Sequence, residues 1–173
     1  LVLEKAMKEP NKLESANNKK TFHHLNHLGW SEFFEQQPFN EENQPARVTG
    51  IRKNCFLVDQ GIREFLATVS GKLINNPDTI YPAVGDWVLL RDSVIEKVLE
   101  RKNVLSRKAA GGRNRKEGES HLQEQVIATN LDSTFIVCGL DRDFNLRRIE
   151  RYLTVIYNCG ITPIIVLTKA DLH

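Results

Sequence analysis

The sequence predicts an α+β chain in which a small five-stranded β-barrel is followed by a βαβ unit. Short runs of strand-forming residues, separated by turn residues, occupy about residues 46–99. A strand, an amphipathic helix and a second apolar strand then follow one another over residues 133–167. The chain has 173 residues, of which 40% are hydrophobic, and this is enough for one domain or two small ones with packed cores.

The barrel is predicted over residues 46–100. Its candidate strands are Ala46–Ile51, Cys55–Asp59, Glu64–Ser70, Asp86–Arg91 and Val94–Leu99. Polar and glycine-containing turns separate these strands. Strands of this number and length are typical of an OB-fold, a small Greek-key barrel that holds oligonucleotides with one face and its loops. The aromatic residues Phe56, Phe65 and Trp87 could stack on bases, but aromatics that alternate along short strands favour the core.

Residues 1–45 are predicted to form a tail and a lead-in helix. Residues 4–20 are mostly Lys, Glu, Asn and Ser, which is typical of a segment without a packed core. The apolar segment 28–30 should pack against the barrel. The histidines within residues 23–27 have helical spacing, but no fourth ligand lies nearby, so we do not expect a metal site there.

Residues 101–124 are predicted to form a basic, flexible linker. The net charge of the chain is only +2, yet residues 101–116 contain seven basic residues and no acidic one. Such a run is either a solvated loop or an arm that contacts nucleic-acid phosphates. The candidate RNA-binding residues are Arg101, Lys102, Arg107, Lys108, Arg113, Arg115 and Lys116.

The βαβ unit begins with a predicted strand over Ser133–Gly139. Asn145 is a good N-cap for the helix that follows. The apolar residues of this helix recur at helical spacing and should pack on the sheet; they are Leu146, Ile149, Leu153 and Ile156. Gly160 ends the helix, and a right-handed crossover would place the strand after Pro163 parallel to the first.

The residues after the second strand form a candidate guanine-binding site. The apolar run 164–167 is typical of a strand covered on both faces, and ligands bind beyond the carboxyl ends of such strands. There, Asp171 could accept hydrogen bonds from guanine N1–H and the exocyclic amine, a pair of donors that adenine lacks. Lys169 would lay its alkyl stem along the base or ribose. Thr168 replaces the asparagine of the usual Asn-Lys-x-Asp pattern. The motif alone is also compatible with ordinary loop charges.

Two classes of protein are disfavoured by composition. The longest apolar runs are too short to cross a bilayer, and no segment resembles a signal peptide, so we expect a cytoplasmic protein without a membrane partner. The three widely spaced cysteines predict reduced thiols rather than disulfides or a metal site.

Several longer segments carry a family resemblance. They are Leu28–Trp30, Val69–Leu73, Pro82–Val88, Gln125–Asp132, Phe135–Cys138 and Asp143–Leu153, followed by Thr168–Asp171. Together they resemble the circularly permuted, ribosome small-subunit-dependent GTPases, a bacterial family, over roughly residues 25–171. In that family the guanine motif precedes the phosphate-binding loop, so an early Thr-Lys-Ala-Asp agrees with the permutation.

The resemblance implies a GTP hydrolase that binds GTP or GDP and acts late in maturation of the small (30S) ribosomal subunit, with the OB-fold on 16S rRNA. Residues 125–173 would then begin a truncated, circularly permuted P-loop-type GTPase domain. The family's phosphate-binding loop, Mg²⁺ site and Zn²⁺-bound domain would follow His173. The sequence contains no Gly-x4-Gly-Lys-Ser/Thr, so we expect no catalytic residue in this chain and no hydrolysis by it alone.

Two other hypotheses remain open. The chain could be a non-catalytic rRNA-binding OB module, in which only the barrel and the basic segment function. It could also be an inactive truncated product. In each case we expect a monomer.

Overall fold

The computed structural model describes residues 22–38, 40–76, 79–108, 124–142 and 144–172. The strands are β1 (Gln44–Ile51), β2 (Phe56–Asp59), β3 (Glu64–Val69), β4 (Trp87–Arg91), β5 (Val94–Val98), β6 (Val104–Lys108), β7 (Glu124–Thr129), β8 (Ser133–Gly139) and β9 (Thr162–Thr168). The helices are α1 (Glu32–Glu35), α2 (Gly71–Ile74) and α3 (Leu146–Asn158), with 3-10 helices at His23–Leu28 and Ala170–Leu172.

Strands β1 to β5 form a closed barrel with the strand order β1-β2-β3-β5-β4. All neighbouring pairs are antiparallel except β3 and β5, which are parallel, and α2 lies between β3 and β4 in the chain. This topology confirms the predicted OB-fold. Side chains that alternate along the strands fill the interior: Ala46, Val48, Phe56, Val58, Ala67, Val88, Leu90 and Ile95.

The segment before the barrel packs against the opposite side of β4. Trp30, Phe34 and Trp87 form an aromatic cluster in which the Trp30 and Trp87 ring centroids are 4.8 Å apart in an edge-to-face arrangement. Phe56 and Trp87 are both buried, which confirms their prediction as core residues, whereas Phe65 is half-buried at the margin of the barrel core. Within the described residues, no group of His, Cys, Asp or Glu side chains is arranged to bind a metal ion.

A buried carboxylate joins the barrel to the segments that follow it. Asp86 is fully buried and accepts hydrogen bonds from Ala83 N–H (2.7 Å), the Thr129 hydroxyl (2.7 Å) and two guanidinium nitrogens of Arg101 (2.8 and 2.7 Å). We call these four residues the Asp86 cluster. Because an unpaired buried carboxylate is costly, these hydrogen bonds hold three separate parts of the chain together.

Gly85 allows the backbone to approach closely beside the Asp86 cluster. Its φ is +91°, and a Cβ atom at this position would lie 2.1 Å from the carbonyl oxygen of Thr129. Asn130 adopts a left-handed conformation (φ 54°) and donates from its amide to the Gly85 carbonyl at 3.0 Å. This contact therefore requires glycine, both for its backbone conformation and for its lack of a side chain.

The structure differs from the predicted flexible linker at residues 104–108, which form strand β6, whereas residues 109–123 of that prediction lie outside the described residues. Strand β6 pairs antiparallel with β7, from Val104 opposite Thr129 to Lys108 opposite Glu124. Leu105 packs on the core of the βαβ unit. Regular alternation of charged and apolar residues is weak in β6, so the prediction followed the charges and missed the strand.

The βαβ unit forms as predicted, with β8 and β9 parallel and in register from Ser133–Thr162 to Gly139–Thr168. The Asn145 side chain caps α3 by accepting from the Arg148 N–H at 3.1 Å. Ile149 and Ile156 of α3 are buried, as predicted. Leu146, the first residue of α3, is 62% exposed, so its predicted packing on the sheet is wrong.

One face of the β8–β9 sheet is exposed within the described part of the chain. Helix α3 covers the face that contains Ile136, while Phe135 and Val137 on the other face are 62% and 65% exposed. Leu167 in β9 is also exposed. The prediction that residues 164–167 are covered on both faces is therefore wrong for the described residues. None of the described helices is long and apolar enough to cross a membrane.

Replacement of Gly85 by alanine should destabilise the barrel strongly. The left-handed conformation and the approach to the Thr129 carbonyl together predict a loss of about 2–4 kcal/mol in the free energy of unfolding. Urea unfolding followed by tryptophan fluorescence would measure this loss of stability, because Trp30 and Trp87 are both buried in the aromatic cluster that packs against β4. Gly71→Ala is the matched control, since a Cβ atom at Gly71 meets nothing within 4 Å. Equal stability of the two variants would contradict the role of Gly85.

Candidate functional site

The predicted guanine-binding residues lie at the carboxyl edge of the β8–β9 sheet. Gly139 and Thr168 are the last paired residues of the two strands, and the Leu140 N–H donates to the Thr168 carbonyl at 2.9 Å. The loop after β8 and the segment after β9 are therefore adjacent. This is the edge of a parallel sheet at which ligands bind, as the sequence predicts.

The three candidate residues differ in their surroundings. Thr168 is half-buried at the end of β9, and Lys169 is exposed with a left-handed backbone (φ 60°). Asp171 lies in the 3-10 helix Ala170–Leu172, where its side chain is exposed and makes no hydrogen bond or ion pair to the described residues. Both oxygens of the Asp171 carboxylate are thus available to accept hydrogen bonds from a ligand.

Asp141 is an additional residue at this edge that sequence reasoning missed. Its carboxylate accepts a hydrogen bond from the Lys169 ammonium and forms an ion pair with it. Gly139 lies beneath this pair, because a Cβ atom there would be 3.1 Å from Asp141 Oδ1 and 3.3 Å from Lys169 Cδ. The only signal in the sequence is an acidic residue two positions after the strand that neighbours the guanine motif.

The basic segment is divided by the structure into residues with different roles. Arg101 forms its ion pair with Asp86, and the two side chains are 12% and 0% exposed. We therefore correct the prediction that Arg101 contacts RNA phosphate: its guanidinium is committed to a buried carboxylate. A basic residue that compensates a buried acid 15 positions earlier looks the same in the sequence as a solvated one.

Lys102 and Arg107 remain accessible candidates for contact with an anionic partner. Lys102 is exposed, with its ammonium 5.1 Å from the centroid of the Phe34 ring. Arg107 in β6 is exposed and donates to the Gln125 side chain, a neutral group, at 3.0 and 2.9 Å. Its positive charge is therefore not compensated by this contact. Lys108 ends β6, and Arg113, Arg115 and Lys116 lie outside the described residues.

Arg47 is a second residue whose role was not predicted. From β1 its guanidinium donates to the Leu28 carbonyl and, at 3.0 Å, to the Asn130 carbonyl. Burial lowers the pKa of the Arg47 guanidinium, and the negative charge of Asp132 opposes this shift. Arg47 thus connects the amino-terminal segment, the barrel and the residues that lead into β8.

A groove of about 480 Å³ lies on the barrel between the segment around Asn40 and the β4–β5 hairpin. It is lined in part by Lys72, Arg91 and Lys97. Arg91 pairs with Glu42 at 3.1 Å and with Glu96 at 3.4 Å, so its charge is compensated. The groove is therefore a weaker candidate for binding phosphate than the surface around Arg107.

Comparison with known proteins gives consistent results for sequence and fold. The family model described as RsgA GTPase matches residues 98–173. A protein of Opitutus terrae named small ribosomal subunit biogenesis GTPase RsgA is 42% identical over 168 residues, which cover 86% of this chain and 44% of the relative. The chain thus spans less than half the length of that curated relative.

Two solved structures have a similar fold. The crystal structure of YloQ, described as a circularly permuted GTPase, has a TM-score of 0.52 at 21% identity. The match covers 79% of this chain and 45% of the YloQ chain. The crystal structure of YjeQ from Thermotoga maritima has a TM-score of 0.54 at 22% identity and covers 76% and 43%.

The role of Arg101 can be tested against its neighbour Lys102. Arg101→Met should lower the free energy of unfolding by about 3 kcal/mol, because removal of one partner of a buried ion pair leaves the other uncompensated. Lys102→Met makes the same change in charge at an exposed position and should have a much smaller effect. Urea unfolding of both variants provides the measurement, and similar stabilities would argue against a structural role for Arg101.

Proposed function

We propose that this chain belongs, through residues 98–173, to the RsgA GTPase family and acts in biogenesis of the small ribosomal subunit as part of a GTPase. In this proposal the carboxyl edge of the β8–β9 sheet binds the guanine base and the OB-fold barrel with the basic segment binds 16S rRNA. The chain acts as a monomer in the cytoplasm.

The observation that carries the proposal is the position of Thr168, Lys169 and Asp171. Thr168 ends β9 and the other two residues follow it, at the edge where the carboxyl ends of two parallel strands meet, and the Asp171 carboxylate is exposed. Two hydrogen bonds from guanine to this carboxylate would each contribute about 1.5–3 kcal/mol, which supports discrimination against adenine by orders of magnitude. The threonine at position 168 lacks the amide of the usual asparagine, so Asp171 carries most of the base recognition.

In this proposal the described residues recognise the base and do not carry out phosphoryl transfer. GTP hydrolysis in this family implies Mg²⁺, which neutralises charge on the β- and γ-phosphates. Within the described part of the chain, no group of acidic, histidine or cysteine side chains fits such an ion, nor the family's structural Zn²⁺. The 173 residues also contain no phosphate-binding loop sequence. We therefore assign no catalytic residue to this chain.

Support for an RNA partner comes from the barrel and the adjacent positive charges. The barrel is closed and has its own core, so it can present a rigid surface. Lys102 and Arg107 are exposed on the connection that leaves the barrel, and the described side-chain partner of Arg107 is the neutral Gln125. The same observations favour the second candidate function, a non-catalytic rRNA-binding module, which would need no nucleotide.

Asp171→Asn should shift nucleotide preference from guanine toward xanthine. An asparagine amide can donate to the 2-oxo group of xanthine, whereas guanine presents a donor there, so we expect about a 10- to 100-fold change in the ratio of affinities for GDP and XDP. Competition binding with a fluorescent nucleotide measures this ratio. Glu150→Gln, an exposed acid on α3, is the control for loss of one negative charge. An unchanged ratio would contradict the guanine assignment.

Arg107→Gln should weaken binding to 16S rRNA and make it less dependent on salt. Loss of one phosphate contact should reduce the slope of log K against log salt concentration by about 0.7–0.9. Gln125→Ala removes the hydrogen-bond partner of Arg107 but keeps its charge, and should leave the slope unchanged. Titrations with and without GDP would distinguish the two candidate functions, because the non-catalytic module predicts no nucleotide effect. A slope that is the same in both variants and the wild type would exclude Arg107 as a phosphate contact.

A further inference from the structure

We propose that Asp141 is a positioning residue that holds Lys169 in place for the guanine base. This inference rests on the proposed function, because it assigns a role at the same site. It starts from the ion pair between the Asp141 carboxylate and the Lys169 ammonium, which joins the loop after β8 to the guanine motif after β9. No part of the guanine pattern itself requires an acid at position 141.

The packing beneath the ion pair determines the path of the lysine stem. A Cβ atom at Gly139 would lie 3.3 Å from Lys169 Cδ and 3.1 Å from Asp141 Oδ1, which is closer than ordinary van der Waals contact. The φ of Gly139 is not in the left-handed region, so glycine is favoured there for space rather than for conformation, since a Cβ atom would require the two side chains to shift slightly. The Lys169 stem thus crosses the end of β8 through the space that the missing side chain leaves.

The backbone of Lys169 shows why a partner for its side chain matters. Its left-handed conformation is disfavoured for a residue with a Cβ atom. The ion pair, together with the Leu140 N–H bond to the Thr168 carbonyl, offsets this cost and fixes the turn between β9 and Asp171. A shift of this turn would move Asp171 as well, since only Ala170 separates the two residues.

The ion pair also lowers the entropic cost of binding. A lysine side chain has many rotamers, and their loss on binding opposes affinity. Because Asp141 already restricts Lys169, part of that loss occurs before the base arrives. The Lys169 and Asp141 side chains are 53% and 28% exposed, so the pair is screened by solvent and its effect should be modest and sensitive to salt.

The test compares the wild-type chain with Asp141→Asn, which removes the charge but keeps the shape of the side chain. NMR relaxation of the Lys169 ammonium group should show it ordered in the wild type and mobile in the variant. Binding of a fluorescent GDP analogue should be about two- to five-fold weaker in the variant at low salt. This difference in affinity should disappear near 1 M salt, where the Debye length is about 3 Å. A purely structural defect would persist at that salt concentration. Glu150→Gln is the matched control and should change neither measurement.

The outcomes separate this inference from the function on which it rests. Equal mobility of Lys169 in the two proteins overturns the inference, whatever the nucleotide affinity. Unchanged or tighter GDP binding in Asp141→Asn also overturns it; tighter binding would show that Asp141 withholds Lys169 from the base. If Lys169 is ordered by Asp141 but the wild-type chain binds no GDP, the guanine assignment itself fails, and with it the role of Asp141 in base recognition.

Discussion

The buried carboxylate of Asp86 holds the main parts of this chain together. A carboxylate without contact to solvent is unfavourable unless hydrogen bonds and a counter-charge compensate it. Here the compensation comes from the turn before β4, from Arg101 after the barrel and from Thr129 at the end of β7. These segments can come together only if the barrel is closed and β6 and β7 are paired beside it. A local electrostatic requirement thus determines the placement of elements that are far apart in the sequence.

The contacts around Asp86 continue to the start of β8. Arg47 in β1 bonds to the Asn130 carbonyl, and the Asn103 side chain donates to the Leu131 carbonyl at 2.8 Å, just before β8 begins. Leu105 and Leu131 then pack on the core under α3. The barrel and the βαβ unit are therefore connected by hydrogen bonds and apolar packing as well as by the chain. In the proposed function, the RNA-binding and guanine-binding surfaces are attached to one continuous framework.

Sequence reasoning succeeded where a local pattern determines the structure. Strand alternation identified the barrel, Asn145 identified the start of α3, and the apolar run before Thr168 predicted that residues 168–171 lie at the carboxyl edge of a parallel sheet. It failed where charge has a tertiary partner. Arg101 was assigned to a basic run because its ion-pair partner, Asp86, lies in another part of the chain. Asp141 could not be identified without the parallel register of β8 and β9, which brings it next to Lys169. Such pairings depend on topology, which single-residue properties do not encode.

The Asp86 cluster has a consequence for the order of folding during synthesis. The strands of the barrel are all present once residue 98 has emerged, and its hairpins can pair at that stage. Asp86, however, lacks one of its donors until Thr129 follows, and the left-handed Asn130 reaches Gly85 only then. A nascent chain that ends between residues 98 and 129 should contain a closed barrel whose packing around Asp86 is incomplete. Its vulnerability to proteases should fall sharply as residues 124–130 leave the exit tunnel, well before the guanine motif is made.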